Sequence, residues 1–370
     1  MKRSAFQTRV SAFREKLADV PPDAAWIIQP ENRRYLSGFK AEDAQLNESS
    51  GSLLINHKAN FLITDSRYET EASKEAPDFE VTLVNKGLVE GLPGLIEPLG
   101  AKKLGFEEDH LTWGLHRHLN KKLRKLVSPV RLSPLNGLVE DMREVKDKEE
   151  IKAMAASAKL MSEVLGKVIE KLTPDLAEKA IASQIEGLAR EGGAEDLAFP
   201  SIVASGPNGA LPHAVPTKRK LGVGKPIVLD VGLKLDGYCC DMTRTIFLGK
   251  PEPRFRKIYK VVRQAQLAAL KEIRPGVEST HPDSIARDII KDAGFGDYFG
   301  HSLGHGVGLA THERPRLSPQ GPVLLKEGMV VTVEPGIYIP GKGGVRLEEM
   351  VVITKNGVRI LTRDSHFYDF

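Results

Sequence analysis

Two aspartates, three histidines and a group of glutamates in the C-terminal part of this 370-residue sequence have the types and spacing that chemistry at a bound cation requires. The segment PIVLDVGLKLDGYCCDMTRTIFL, Pro226 to Leu248, places β-branched and apolar runs on both sides of Asp236-Gly237, a strong two-residue hairpin turn. With that loop, Leu235 faces Tyr238 and Asp230 faces Thr243, so Asp241 lies diagonally from Asp230 on the same face of the ribbon. Two carboxylates on one face are costly unless something positive lies between them, and a divalent metal would resolve the conflict. On the hairpin alone, an equally good account has one aspartate capping a turn and another paired with Arg244.

The segment FGHSLGHGVGLATHERP, Phe299 to Pro315, shifts that balance, because His301, His305 and His312 sit there among glycines and prolines. Glycines let a backbone approach a ligand closely, and neutral imidazole is a common metal ligand. VVTVEPGIYIP supplies Glu334 at the end of an apolar strand-like run, and GGVRLEEMVVIT supplies Glu348 and Glu349 at the start of another. Carboxylates in such runs are rarely buried without a partner, and Arg346 could be a simple ion-pair partner for one of them. Asp230, Asp241, Glu334 and Glu348 together carry four negative charges, which two divalent cations would neutralise, with one histidine completing the shell. A set dominated by oxygen suits Mn²⁺, Co²⁺ or Zn²⁺ better than a sulfur-loving metal.

The elements that must position these residues divide into two parts. From Trp26 to about Val84, the runs WII, GSLLIN and NFLIT alternate with polar and turn residues, the pattern of a small α/β domain. No phosphate-binding glycine loop, cysteine cluster or nucleophile elbow occurs in it, so its expected roles are assembly and shaping an entrance to another domain's site. The turn-rich SPVRLSPLNG, 128–137, is read as the boundary. Beyond it, Ile151, Met154, Ala158, Leu165, Val168 and Leu172 mark an amphipathic helix. Thr173-Pro174 reads as the N-cap and first turn of a second helix reaching about Glu191, and Pro253–Ile273 as a third.

Composition excludes more than it selects. A net charge of +4 argues against a dedicated nucleic-acid binder, and NKKLRKLVSPVR, 120–131, reads as a solvated face. No apolar run approaches the roughly 18 residues of a membrane span. The basic start of the chain is too polar for a secretory segment and reads as a first helix. Cys239 and Cys240 are adjacent and form no structural staple, which points to a reducing cytoplasm.

In chain order, SGPNGALPHAVPT, DVGLKLDGYCCDMTRT, GHSLGHGVGLATHERP, TVEPGIY and GVRLEE resemble the pita-bread metallopeptidases, which include Xaa-Pro aminopeptidase, prolidase and methionine aminopeptidase. RRYLSGF and LITDSRYETEA resemble the smaller domain of the proline-specific branch, which methionine aminopeptidases lack. The resemblance implies an α/β N-terminal domain of the creatinase/prolidase type over residues 1–137 and an α+β pita-bread catalytic domain over 138–370.

It further implies that Asp230, Asp241, His305, Glu334 and Glu348 bind two divalent ions, Mn²⁺ first with Co²⁺ or Zn²⁺ as alternatives, with Asp241 and Glu348 bridging. A metal-bridged hydroxide would then attack the carbonyl before a proline, with Glu334 moving the proton and His301 and His312 aiding catalysis. His213, His301 and His312 would line the substrate site, with Tyr338 and Arg346 as supporting or gating residues. The expected protein is a homodimeric Xaa-Pro aminopeptidase acting on peptides with proline second. Prolidase is the alternative, and a metal-free creatinase-like or binding protein the weaker reading, because all five ligands are present. Cys240 stands where the family more often has serine and is read as a small buried side chain.

Overall fold

A computed structural model of the chain describes residues 3–43, 45, 48–85, 87–364 and 366–370. The chain divides into two compact units, Met1–Arg143 and Glu144–Phe370.

In the first unit, six strands form one sheet: β1 (Ala24–Ile27), β2 (Ser52–Asn56), β3 (Asn60–Thr64), β4 (Glu80–Leu83), β5 (Lys103–Phe106) and β6 (Arg131–Pro134). Their order is β4-β3-β2-β1-β5-β6, and β2 runs antiparallel to both neighbours. Every residue of β1 and β2 is buried, which is why β1 and the Leu53, Leu54 and Ile55 centre of β2 read as continuous apolar runs rather than alternating ones. Helices α1 (Arg3–Ala18), α2 (Pro30–Ser37), α3 (Glu69–Glu75), α4 (Leu88–Leu99) and α5 (Trp113–Leu123) accompany the sheet, and α6 (Leu138–Glu144) follows it. Trp26, Leu54 and Ile63 of the sheet share a core with Leu92 and Ile96 of α4 and Leu119 of α5. The turn-rich segment expected to link the domains contains β6, paired parallel to β5 from Lys103↔Arg131 to Phe106↔Pro134. An edge strand tolerates Pro134, and burial of Val130 and Leu135 beside it outweighs the turn signal.

The second unit carries α7 (Lys148–Ile169), α8 (Glu178–Glu191), α9 (Pro253–Glu272) and α10 (Thr280–Asp292). Asp147 caps α7 reciprocally with Glu150, and Met154, Ala158, Leu165 and Val168 form its buried stripe. Helix α8 begins later than the sequence suggests. Ala177 forms an antiparallel bridge with Lys220, and the amides of Glu178 and Lys179 donate to the carbonyls of Arg219 and Thr217. Residues 173–177 therefore pair with a distant segment instead of starting the helix at Thr173. On α9, Phe255, Ile258, Val262, Ala265 and Ala269 face a core that includes Val331, Val333, Ile337 and Val345.

Strands β7 (Asp196–Leu197), β8 (Ile202–Ser205), β9 (Pro226–Val231), β10 (Leu233–Leu235), β11 (Tyr238–Cys239) and β12 (Met242–Phe247) form two three-stranded sheets, β11-β10-β7 and β12-β9-β8. Asp236 and Gly237 both have positive φ, 50° and 84°, the signature of a type I′ turn. Leu235 pairs with Tyr238 and Asp230 with Thr243, the register that this turn dictates. The remaining strands are β13 (Gly304–Gly306), β14 (Glu313–Leu317), β15 (Val330–Val333), β16 (Gly336–Ile339), β17 (Gly343–Arg346), β18 (Glu349–Thr354) and β19 (Gly357–Ile360). Five of them form the sheet β14-β13-β15-β18-β19, and β16 pairs with β17.

Candidate metal centre

Three strand systems deliver the acidic residues to one place. Asp230 is the penultimate residue of β9, Asp241 immediately precedes β12 and Thr243 is the second residue of that strand. Glu348 sits between β17 and β18, where its amide donates to the Thr243 carbonyl at 3.1 Å. Period-2 alternation then separates it from its neighbour: Glu348 accepts from Thr243 Oγ1 at 2.8 Å, while Glu349 meets Arg244 at 3.3 Å. Glu334 follows β15, its amide bonded to the Leu303 carbonyl at 2.8 Å. His305 lies on β13 at a register shift against β14, and bulges of this kind re-aim side chains. Gly304 permits the approach, because a Cβ there would stand 2.0 Å from the Thr332 carbonyl oxygen.

His305 Nε2 lies 3.3 Å from Glu334 Oε1 and 3.6 Å from Asp241 Oδ2. Its Nδ1 is 3.0 Å from the Gly306 carbonyl, a contact that places the ring proton on Nδ1 in the neutral form and aims the Nε2 lone pair at the carboxylates. Among the described residues Arg346 supplies the one guanidinium that bonds to this carboxylate group: Nη2 donates to Asp230 Oδ2 at 2.5 Å, Nε to Thr243 Oγ1 at 3.1 Å and Nη1 to Tyr338 Oη at 2.7 Å. Tyr338 Oη in turn lies 2.9 Å from His301 Nε2, and His301 Nδ1 lies 2.8 Å from the Ser302 carbonyl. The network assigns His301 as a neutral acceptor from tyrosine, with both ring nitrogens engaged.

The electrostatics are those of a site short of positive charge. Burial, then repulsion from Glu348 and Asp230, pushes Asp241 well above the usual carboxylate range. Burial, then repulsion from Glu334 and Asp230, does the same to Glu348. Asp230 is raised by burial despite Arg346. Burial also pushes Glu334 upward, but the hydrogen bond and charge of His305 outweigh it and hold that carboxyl at about 2. Oδ1 of Asp230 and Oε1 of Glu348 are buried with no hydrogen-bond partner among the described residues. One ligand atom each from Asp241, His305 and Glu348 lies within 4.8 Å of the others. Unsatisfied oxygen acceptors, mutual repulsion and an aimed imidazole lone pair together fit a centre for divalent cations.

These residues line a cavity of about 510 Å³ that also takes in Phe199, Ile202, His213, His301, His312 and Arg316. The His312 ring lies 4.3 Å from that of His305, centroid to centroid and tilted by 53°, and burial followed by the charge of His305 lowers its pKa. His213 and His312 are the most exposed of the cavity's histidines.

Residues 152–355 match metallopeptidase family M24, and residues 9–145 match the creatinase/prolidase N-terminal domain. The chain belongs to metallopeptidase family M24. It is 37% identical over 341 residues to the Xaa-Pro dipeptidase of Pyrococcus horikoshii, covering 92% of this chain and 93% of that one. The solved Xaa-Pro dipeptidase from Bacillus anthracis superposes with a TM-score of 0.90 at 34% identity, over 97% of this chain and 98% of the other. The X-Pro aminopeptidase from Thermotoga maritima gives 0.84 at 35% identity, over 95% and 98%. The fold is accordingly that of the M24 peptidases, an N-terminal creatinase/prolidase-type domain and a pita-bread catalytic domain.

Several residues of this M24 centre were not singled out from the sequence. Thr243 connects Arg346 to Glu348, and Thr332 Oγ1 donates to Glu334 Oε1 at 3.0 Å. Each lies two residues from an acidic partner on a strand, Asp241 or Glu334, so period 2 was the signal that could have found them. Arg316 gave no such signal, because its place in the cavity depends on the irregular pairing of β13 with β14.

Proposed function

We propose that this chain hydrolyses the peptide bond between an N-terminal residue and proline. The observation that carries the reading is the convergence of Asp230, Asp241, His305, Glu334 and Glu348 on one cavity whose lining also presents the apolar residues Phe199, Ile202, Pro212, Val215 and Pro216 beside its histidines and arginines. An Xaa-Pro amide has no N–H to satisfy, so an apolar lining suits the pyrrolidine ring.

The five acidic and imidazole residues would hold two divalent ions, with Mn²⁺ as the first candidate and Co²⁺ or Zn²⁺ behind it. When bound, such ions acidify water and polarise a carbonyl. Glu334 takes the proton of the attacking water and returns it to the departing proline nitrogen. Thr332 Oγ1 donates to its Oε1 and keeps the carboxylate oriented towards the cavity. His312, neutral and exposed to the cavity, donates to the developing oxyanion. His301 and Tyr338 act one step back, by holding the Arg346 guanidinium that holds Asp230.

Substrate length follows from Arg316. It lines the cavity and forms no hydrogen bond or ion pair with a side chain among the described residues, so it is available to a substrate's C-terminal carboxylate. That supports an Xaa-Pro dipeptidase, in line with the relative from Pyrococcus horikoshii. The second reading, an Xaa-Pro aminopeptidase, is supported by the likeness to the Thermotoga maritima structure. A homodimer in the cytoplasm, with the N-terminal domain serving assembly, completes the proposal. The test is hydrolysis of Ala-Pro and Ala-Pro-Ala-Ala by Mn²⁺- or Co²⁺-loaded and chelated protein. Metal-dependent cleavage of the dipeptide alone establishes the dipeptidase, and cleavage of the tetrapeptide at Ala-Pro the aminopeptidase. Cleavage of neither by metal-loaded protein would refute the proline specificity.

A further inference from the structure

The segment Ser205–Thr217 carries Pro212 to Pro216, including His213, into the lining of the cavity. Both of its ends are fixed by one side chain outside the metal centre. Glu178, the first residue of α8, is fully buried. Its Oε1 accepts from the Ser205 amide at 2.8 Å. Its Oε2 accepts from the Thr217 amide at 2.9 Å, Thr217 Oγ1 at 2.7 Å and Asn208 Nδ2 at 2.8 Å. No lysine or arginine pairs with it among the described residues, so these donors alone compensate its burial. Asn208 also donates to the Val215 carbonyl at 3.2 Å, which passes the restraint towards the tip. At that tip the Pro212 carbonyl accepts from Arg346 Nη1 at 3.2 Å, while Leu211 and Val215 are 58% and 73% exposed. The tip is thus held by its ends, by Arg346 and by the buried Ala214 against Ile202 and Ala204, while Leu211 and Val215 beside it stay exposed.

We infer that Glu178 is the positioning residue of this cavity wall: it sets where His213 meets the substrate, and so governs substrate affinity without governing metal occupancy. The inference rests on the Xaa-Pro reading for its kinetic arm only. Glu178→Gln keeps the shape but turns one accepting oxygen into a donor that faces other donors. In metal-loaded protein, KM for Ala-Pro rises about tenfold, the loss expected for a buried charge-assisted contact, while kcat stays within about twofold. Metal content is unchanged, and amide exchange over residues 206–217 accelerates. On a His213→Ala background, Glu178→Gln adds less than about twofold, because both changes remove the same contact. Thr217→Val, which keeps the amide and loses only the hydroxyl, gives a smaller rise in KM and stands in if Glu178→Gln fails to fold.

Unchanged KM, lost metal, or full additivity with His213→Ala would each overturn the inference, the last by making Glu178 a general support of the fold. If the unmodified protein cleaves no Xaa-Pro substrate, the proposed reaction fails, and unchanged exchange over 206–217 in Glu178→Gln would separately overturn the positioning role.

Discussion

The two sides of β12 bury charge in opposite ways. On one side Arg244, with no exposed surface, donates from Nε to Asp364, from Nη1 to the Thr243 and Glu348 carbonyls, and from Nη2 to Glu349 and the Thr362 carbonyl, with Phe367 stacked 4.2 Å from its guanidinium carbon. Every nitrogen of that guanidinium has an acceptor. On the other side Asp230, Asp241, Glu334 and Glu348 share Arg346 and His305, and two of their oxygens have no partner. A matched cluster holds strands together. An unmatched one is tolerated where something else supplies the charge, and perturbed carboxylates of this kind gather at functional sites.

The largest effect that would sharpen the comparison is on the unmatched side. Asp241→Ala or Glu348→Ala should lower kcat/KM by about 10³-fold or more with loss of bound metal, while the metal-free fold changes by less than about 1 kcal/mol, since a repelling charge is removed. Kinetics, metal analysis and denaturant unfolding of the chelated proteins check this, and substantial activity in either folded variant would break the contrast. Next comes Arg244→Ala, which leaves Glu349 and Asp364 buried without their cation and should cost about 3–5 kcal/mol of unfolding free energy. Denaturation at matched pH reads it. A loss below about 1 kcal/mol would mean that the two sides are alike.

His312→Ala should reduce kcat by about 10- to 100-fold with metal stoichiometry intact, because it removes a donor and no ligand. Metal lost in proportion to activity would move His312 into the cation shell.

The most gradual effect, spread over a pH range, lies in the N-terminal domain, where Glu107 is an intermediate case. It accepts from the Ile28 and Gln29 amides at 2.6 and 2.7 Å and from Asn32 at 2.7 Å, yet burial still pushes it up to about 7. The folded state therefore keeps a proton that the unfolded chain releases near its ordinary value. Stability is full below that value and falls as pH rises towards 7, by at most about 1.4 kcal/mol per pH unit. Unfolding of the wild type and of Glu107→Gln between pH 4.5 and 7 should show a shallower fall of stability in the variant, the difference being the share of Glu107.

Features under the control of short-range geometry were legible in the residues alone. Asp236-Gly237 fixes a turn, the turn fixes a register, and the register puts Asp230 opposite Thr243. The apolar stripes of α7 and α9 follow equally from helical periodicity. Arginine pairing was beyond reach: Asp230 goes to Arg346 and not to Arg244, across 116 residues, because closing β17 against β12 decides which guanidinium arrives. The start of α8 and the strand β6 were likewise decided by distant partners, Lys220 for the one and β5 for the other. No local pattern marks Glu178, and only the folded chain brings Ser205, Asn208 and Thr217 to its carboxylate. Turns and periods are properties of neighbouring residues. Hydrogen-bond partners of a buried charge are properties of the closed structure, since burial selects whichever donors the packing brings within reach.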